Sequence, residues 1–341
     1  MPNLKHILVL RFSAMGDVAM SVPVIRALVS QYPDLRITVV TRGFFSPFFR
    51  GIKNVAIFEV DLKTKYKGVF GLYKLYKELN DLRFDAVADI HNVLRTKILK
   101  LFFTGKRVVQ IDKGREEKKA LVSGKKFEQL KTTHERYADV FKKLGFPVDL
   151  SNPIFPEKIR LDSQLQSFIS NSSLPVIGIA PFAAFKGKMY PLKQMKLVIN
   201  QLSKEHNIVL FGGGSKEILQ LNQIEFQIPN TKSIAGKLTL DEELDIISNL
   251  DVMLAMDSGN AHMAAMLGVK VITIWGVTHP FAGFNPFNQP KDYALLADTN
   301  KYPEVPTSVY GNKHPEGYEI SAGSVLVEIV TQKVKSLISK S

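Results

Sequence analysis

Residues Met256–Ala265, Met-Asp-Ser-Gly-Asn-Ala-His-Met-Ala-Ala, carry the side chains best placed to meet an anion. They lie between two apolar runs, Asp251–Met256 and Lys270–Trp275. The first run reads as a buried strand, and the residues from Ser258 read as a helix start capped by Ser258 or Asp257. A helix N-terminus offers free backbone N–H groups and the positive end of a dipole. Gly259 admits close approach to the backbone, Asn260 follows it, and His262 falls about one turn in. A diphosphate leaving group needs this chemistry. A second turn of the same kind, Phe12-Ser13-Ala14-Met15-Gly16-Asp17, separates a β-rich run, Ile7–Arg11, from a helical stretch, Val18–Ser30. It places Asp17 outside the C-terminal end of a strand, where open α/β sheets bind ligands. The plainer role for Asp17 is that of a helix N-cap.

Positioning these turns requires strands and helices in alternation, and the chain supplies them twice. Strands are expected at Lys5–Arg11, Arg36–Thr41, Val55–Val60, Ala86–Ile90 and Arg107–Ile111, with helices between them, including Val69–Leu79. Ser151–Asp162 reads as a linker. The alternation then restarts. Strands are expected at Pro175–Ala180, Asn207–Phe211, Lys232–Ala235, Asp251–Met256 and Lys270–Trp275. Between them come a helix over Leu192–Lys204 opened by Pro191, one over Lys216–Gln223 capped by Ser215, and one over Leu240–Leu250 begun by a Thr239/Glu242 capping box. The expected architecture is two Rossmann-like α/β domains facing a central cleft, 1–160 and 161–320. A final helix, Ser321–Leu337 within 321–341, should pack back across both.

Composition narrows the function classes. The chain has 341 residues, a net charge of +13 and no cysteine, so disulfides and cysteine-ligated zinc are excluded. The N-terminal Met-Pro-Asn-Leu-Lys-His leads straight into a strand, and no apolar run approaches the roughly 20 residues that span a bilayer. The expected location is cytoplasmic. Residues 1–160 hold 30 Lys/Arg against 16 Asp/Glu, whereas 161–341 hold 15 against 16. The stretch 95–143 alone has 15 basic against 6 acidic residues, which suits an anionic partner of the first half. Gly212-Gly213-Gly214 lacks the full dinucleotide spacing, and neither a phosphate-binding loop with its lysine nor a nucleophile elbow occurs. The seven histidines show no metal-ligand pairing and no Asp-x-Asp pair is present, so no metal site is expected. Lysines and helix N-termini can neutralise a diphosphate without one. Lys186 and Lys188 follow the strand Pro175–Ala180, on the same sheet edge as Asp257, and Lys188 is the expected phosphate contact.

Together these residues resemble glycosyltransferase family 9, the bacterial lipopolysaccharide heptosyltransferases. The resemblance rests on Arg11-x-Ser13-x-x-Gly16-Asp17 with Pro23 in the following helix, and on Phe84–Asn92. It also rests on Asp257-Ser258-Gly259-x-x-His262-Met263-x-Ala265 and on Gly276-x-Thr278-x-Pro280. It implies a GT-B fold with an N-terminal acceptor domain and a C-terminal donor domain. The implied reaction is inverting, metal-independent sugar transfer from an ADP-heptose to a hydroxyl of the lipopolysaccharide inner core, with no cofactor. Asp17 would be the general base, and Ser13, Met15, Gly16 and Arg95 would lie on the acceptor side. Lys188, Asp257, Ser258, Gly259, Asn260 and His262 would hold the donor, with Glu217 near its ribose. The implied partners are a nucleotide sugar and an anionic lipid-linked saccharide reached by peripheral contact with the inner membrane, and no nucleic acid. There are two departures: Ala183 and Ala184 stand where a hydroxyl is frequent, which removes one phosphate hydrogen bond, and His279 stands where Asp is usual, which bears on the donor sugar. The aromatic loop Gly43–Phe49 suits either an acceptor or core packing. The competing readings are a transferase or epimerase using another nucleotide sugar, a basic Rossmann-type nucleic-acid-binding protein, and a silent relative that only binds nucleotide.

Overall fold

A computed structural model describes residues 4–169 and 173–338. The chain divides into two compact units. The first comprises Met1–Lys113 and Thr133–Ile154, and the second Gly114–Thr132 and Phe155–Ser341.

The first unit is built on β1 (His6–Leu10), β2 (Arg36–Thr41), β3 (Val55–Glu59), β4 (Ala86–Asp89) and β5 (Arg107–Gln110), all parallel, in the order β3-β2-β1-β4-β5. The connections carry α1 (Met15–Gln31), α2 (Gly68–Asn80) and α3 (Leu94–Phe102). A fourth helix, α4 (Arg115–Val122), lies on the segment that belongs to the second unit, and α5 (Thr133–Leu144) returns to the first. Leu8, Leu10, Val40 and Val87 pack on one sheet face with Leu72, Leu75 and Leu79 of α2 and Leu99 of α3. These central strands are buried on both faces, as a covered parallel sheet requires. The connection after β2 contains a short 3-10 helix, Gly43–Phe49, in which Phe45, Phe48 and Phe49 are buried and Phe44 is exposed. The aromatic loop is therefore mainly packing.

Besides α4, the second unit holds α6 (Ser163–Ile169), β6 (Val176–Ala180), α7 (Leu192–Leu202), β7 (Asn207–Leu210), α8 (Ser215–Gln227), β8 (Thr231–Ser233), α9 (Leu240–Ser248), β9 (Val252–Met256), α10 (Gly259–Met266), β10 (Lys270–Trp275) and β11 (Ala294–Leu296). Its sheet is parallel throughout, in the order β11-β10-β9-β6-β7-β8. The final helical region differs from expectation. A 3-10 turn, Tyr318–Ser324, precedes α11 (Val327–Ile338). The Tyr190 hydroxyl donates to the Val325 carbonyl at 2.8 Å, and the Gln194 amide donates to that of Gly323 at 2.9 Å. These contacts fix the break that a continuous helix would lack. Val327, Val330, Val334 and Leu337 of α11 join the core of this unit.

Strand order creates one switch point in each sheet, between β1 and β4 and between β6 and β9. Adjacent connections there leave in opposite directions and open a crevice at the strands' C-terminal ends.

Candidate active site

At the first switch point the chain leaves β1 through Arg11 and enters α1. The helix begins earlier than expected: Ala14 is its N-cap and Asp17 its third residue, so Asp17 is not the cap. Its carboxylate reaches back along the first turn, with Oδ2 3.4 Å from the Ala14 amide. The same oxygen lies 2.6 Å from the Arg11 guanidinium. Arg11 is buried and donates also to the Ile90 carbonyl at 2.8 Å, which fixes its direction and so that of Asp17. The Asp17 side chain is 33 % exposed. Tyr137 of α5 donates its hydroxyl to the Asp17 carbonyl oxygen at 3.2 Å. Ser13, Met15 and Gly16 are half-buried around this turn, with Met15 and Gly16 the first two residues of α1.

The end of β4 supplies the opposite wall. Asp89 Oδ1 accepts from the amides of His91 and Asn92, a local turn that sets His91 beside Phe12. Burial first, and then the Arg11 charge, push the His91 pKa down to about 3. His91 is therefore neutral and inaccessible, a poor base. Asp17 is the accessible one. Arg95 sits on the first turn of α3, exposed, and its charge also acts on His91.

At the second switch point β9 ends at Met256 and Asp257 is buried just beyond it. The loop after β6 turns through a short 3-10 helix, Lys186–Lys188. Lys188 Nζ lies 2.9 Å from Asp257 Oδ2, with side chains 14 % and 6 % exposed. Thr278 donates its hydroxyl to the same oxygen at 3.0 Å. Gly187 makes this approach feasible, since its carbonyl accepts from the Val277 amide at 2.8 Å and a Cβ there would meet Val277 at 2.6 Å. Gly311, at φ +85°, passes over the Lys188 stem, and a Cβ on it would lie 2.3 Å from Lys188 Cγ.

Ser258 caps α10 in backbone geometry only. Its side chain makes no capping bond, and its buried Oγ has no hydrogen-bond partner. A buried hydroxyl without a partner costs about 1–3 kcal/mol, a cost that a ligand oxygen can recover. Gly259 and Asn260 form the first turn, and His262 is buried one turn in. First-turn N–H groups have no acceptor within their own helix. Lys188, Asp257, Ser258, Gly259, Asn260 and His262 therefore gather around one helix start. Lys186 is exposed.

Glu217 is the third residue of α8, and its Oε2 accepts from the Gly213 amide at 2.8 Å. It pins the glycine turn after β7, and Gly214 rather than Ser215 caps the helix. His279 is buried among Phe127 and Phe281, and its Nδ1 accepts from the Phe281 amide at 3.2 Å. Burial pushes its pKa down to about 4. Among the described residues no group of three or more His, Cys, Asp or Glu is placed to hold a metal ion.

Comparison with known proteins decides the family. Residues 72–314 match the model of Glycosyltransferase family 9 (heptosyltransferase). The chain belongs to glycosyltransferase family 9. Among similar proteins is the lipopolysaccharide core heptosyltransferase OpsX of Haemophilus influenzae, 26 % identical over 309 residues, covering 88 % of this chain and 87 % of the relative. Lipopolysaccharide heptosyltransferase 2 of Escherichia coli K12 is 25 % identical over 293 residues, covering 80 % and 83 %. Among solved structures, a family 9 glycosyltransferase from Veillonella parvula superposes with a TM-score of 0.75 at 20 % identity, covering 99 % of this chain and 98 % of that one. An E. coli heptosyltransferase solved with ADP gives 0.68 at 17 % identity, covering 97 % and 99 %. These likenesses establish the GT-B fold, and the family establishes the chain as a glycosyltransferase.

Three residues placed around these two turns carry little signal in the sequence. Arg11 was visible only as the first residue of a motif, yet it orients Asp17. Tyr137, on a distant helix, and Gly311, in a loop, carried no signal of their own.

Proposed function

We propose that this chain transfers a heptose from ADP-heptose to a hydroxyl of the lipopolysaccharide inner core, in one inverting step that needs no metal ion. The observation that carries this reading is the Lys188–Asp257–Thr278 cluster beside the unpartnered Ser258 hydroxyl at the start of α10. A diphosphate seated there receives Lys188, the Ser258 hydroxyl and the first-turn amides. Together they stabilise the charge that develops as the anomeric C–O bond breaks. Lys188 and the helix terminus thus do the work that a divalent cation would otherwise do. Asp257 orients Lys188. Glu217, which already holds the glycine turn, faces the ribose.

In the same step the acceptor hydroxyl gives its proton to Asp17 as its oxygen bonds to the anomeric carbon. Arg11 and the Ala14 amide both engage Oδ2, which leaves Oδ1 for the proton. The names of similar proteins support the donor: one E. coli heptosyltransferase was solved with ADP and with ADP-2-deoxy-2-fluoro heptose. The acceptor is an anionic lipid-linked saccharide, in keeping with a first unit that holds 22 Lys/Arg against 12 Asp/Glu.

Calorimetry with ADP, UDP and GDP in the presence of a chelator tests the donor, and turnover of ADP-heptose tests the chemistry. Selective ADP binding is expected, and Asp17→Asn should keep that binding while turnover falls by about 10²–10⁴-fold. Preference for UDP or GDP, or an active Asp17→Asn variant, overturns the reading.

A further inference from the structure

The outer face of α2 and α3 in the first unit is chemically unlike the rest of its surface. Both helices bury one stripe in the same core cluster, through Leu72, Leu75 and Leu79 and through Leu99. Their rings meet where Tyr73 and Phe102 stack edge to face, with centroids 5.5 Å apart. The two helices therefore lie side by side in one layer and present one continuous outer face.

That face carries large apolar side chains that cover nothing. Phe70 is 92 % exposed, Leu94 74 % and Leu101 73 %. Val69 and Tyr73 are exposed as well. Phe70, Tyr73 and Lys77 recur at helical spacing on α2, and Leu94, Lys97 and Leu101 do so on α3. Apolar tips thus alternate with ammonium groups along both helices. Residues 62–77 hold five lysines and no Asp or Glu, and α3 holds Arg95, Lys97 and Lys100 and neither acid. One lysine, Lys65, is paired with Glu78, and the Lys77 ammonium lies over the Tyr73 ring.

A soluble anion such as a nucleic acid would match the charge but leave Phe70 and Leu101 in water. A neutral apolar partner would cover the side chains but not the charge. Only a partner with negative charge directly above hydrocarbon answers both. We infer that the α2–α3 face seats this protein on an anionic lipid bilayer, with Phe70, Leu94 and Leu101 entering the headgroup region and the flanking lysines meeting lipid phosphates. Apolar insertion and a polybasic rim are the two signals that surface anchoring requires together. Among the described residues no helix is long and apolar enough to cross a membrane, so attachment at this face is peripheral. This inference uses neither Asp17 nor Lys188, so its failure leaves the transfer chemistry standing.

Co-sedimentation of the full chain with vesicles tests it, comparing phosphatidylcholine alone with phosphatidylcholine plus phosphatidylglycerol. The protein should partition onto the phosphatidylglycerol vesicles, and less so as salt rises. Phe70→Ser with Leu101→Ser should weaken that partitioning by about tenfold, as should Lys74→Glu with Lys97→Glu. Phe226→Ser, at an equally exposed ring on α8 in the other unit, should leave it unchanged. Unchanged ADP binding and circular dichroism in every variant separate the effect from misfolding. Equal binding to both vesicle types, no binding to either, or loss of binding through Phe226 alone overturns the inference. So does tighter retention on duplex DNA that ignores Phe70.

Discussion

Removing the Lys188 ammonium should cost the second unit stability as well as ligand. Lys188 Nζ stands 2.9 Å from a nearly inaccessible carboxylate. At an effective dielectric of about 20 their gross attraction is about 6 kcal/mol, most of it offset by desolvation. Breaking such a pair typically costs about 3–5 kcal/mol, because the surviving charge is stranded. Here the lower end applies: the Thr278 hydroxyl still donates to Asp257 Oδ2. Lys188→Met is therefore expected to lose about 3 kcal/mol. Asp257→Asn keeps an acceptor for Thr278 and leaves an ammonium that reaches water, so about 1–2 kcal/mol is expected. The double variant should lose about 2 kcal/mol, giving a coupling of about 2–3 kcal/mol.

Urea unfolding followed by tryptophan fluorescence measures this directly. Trp275 is the chain's one tryptophan, is buried, and ends the strand that leads into Thr278. Its indole donates to the Thr273 hydroxyl at 2.8 Å, so its emission reports the integrity of that sheet. ADP at about a hundred times its Kd should add about 2.7 kcal/mol to the wild type and little to either single variant. Costs that add within about 0.5 kcal/mol would show that the pair is not energetically coupled, and the account of Asp257 as the residue orienting Lys188 would fall.

Two further expectations concern neighbouring positions. Gly311→Ala places a methyl 2.3 Å from Lys188 Cγ at a φ of +85°, so ADP affinity should drop by about tenfold and stability by more than about 1 kcal/mol; an unchanged Kd refutes the contact. Glu243 on α9 is pushed up to about 7 by burial, from an ordinary 4.5. A raised folded value means that its favourable protonated form is fully present below about pH 4.5 and is lost as pH rises through 7. Glu243→Gln should thus be more stable than wild type near pH 8, by up to about 3 kcal/mol, with the advantage gone near pH 4. A pH-independent difference in urea midpoints would contradict this.

Much of the fold was legible because local chemistry dictates it. The Thr239/Glu242 capping box forms as read, with the Glu242 amide donating to Thr239 Oγ1 at 3.3 Å and the Glu242 carboxylate accepting from the Thr239 amide at 2.7 Å. Alternating apolar runs located the central strands of both sheets to within a residue or two. Periodicity failed where tertiary contacts override it. Gly16 suggested a turn but sits inside α1, where a first-turn glycine costs little. The break before α11 depends on Tyr190 and Gln194, more than a hundred residues away. Nothing local to Thr278 announces that Asp257 will accept its hydrogen bond. His279, which stands where the family resemblance leads one to expect Asp, is buried and caps a 3-10 turn through Nδ1, a role set by Phe281 and not by its own motif.

The segment Gly114–Thr132 has a practical consequence. It leaves the first half of the sequence to complete the second unit: the Leu130 amide donates to the Phe281 carbonyl at 3.0 Å, Leu121 and Leu130 pack with Ala282, and the Lys118 ammonium lies 4.0 Å from the Phe284 ring centroid. The polypeptide therefore passes from one unit to the other three times rather than once. A hybrid of two family members spliced at a single point after Ile154 would import foreign Leu121 and Leu130 beneath a native Phe281. Each clean chimera needs this strap exchanged with the unit it serves, so recombination between relatives is constrained at two sites that a two-domain diagram would not mark.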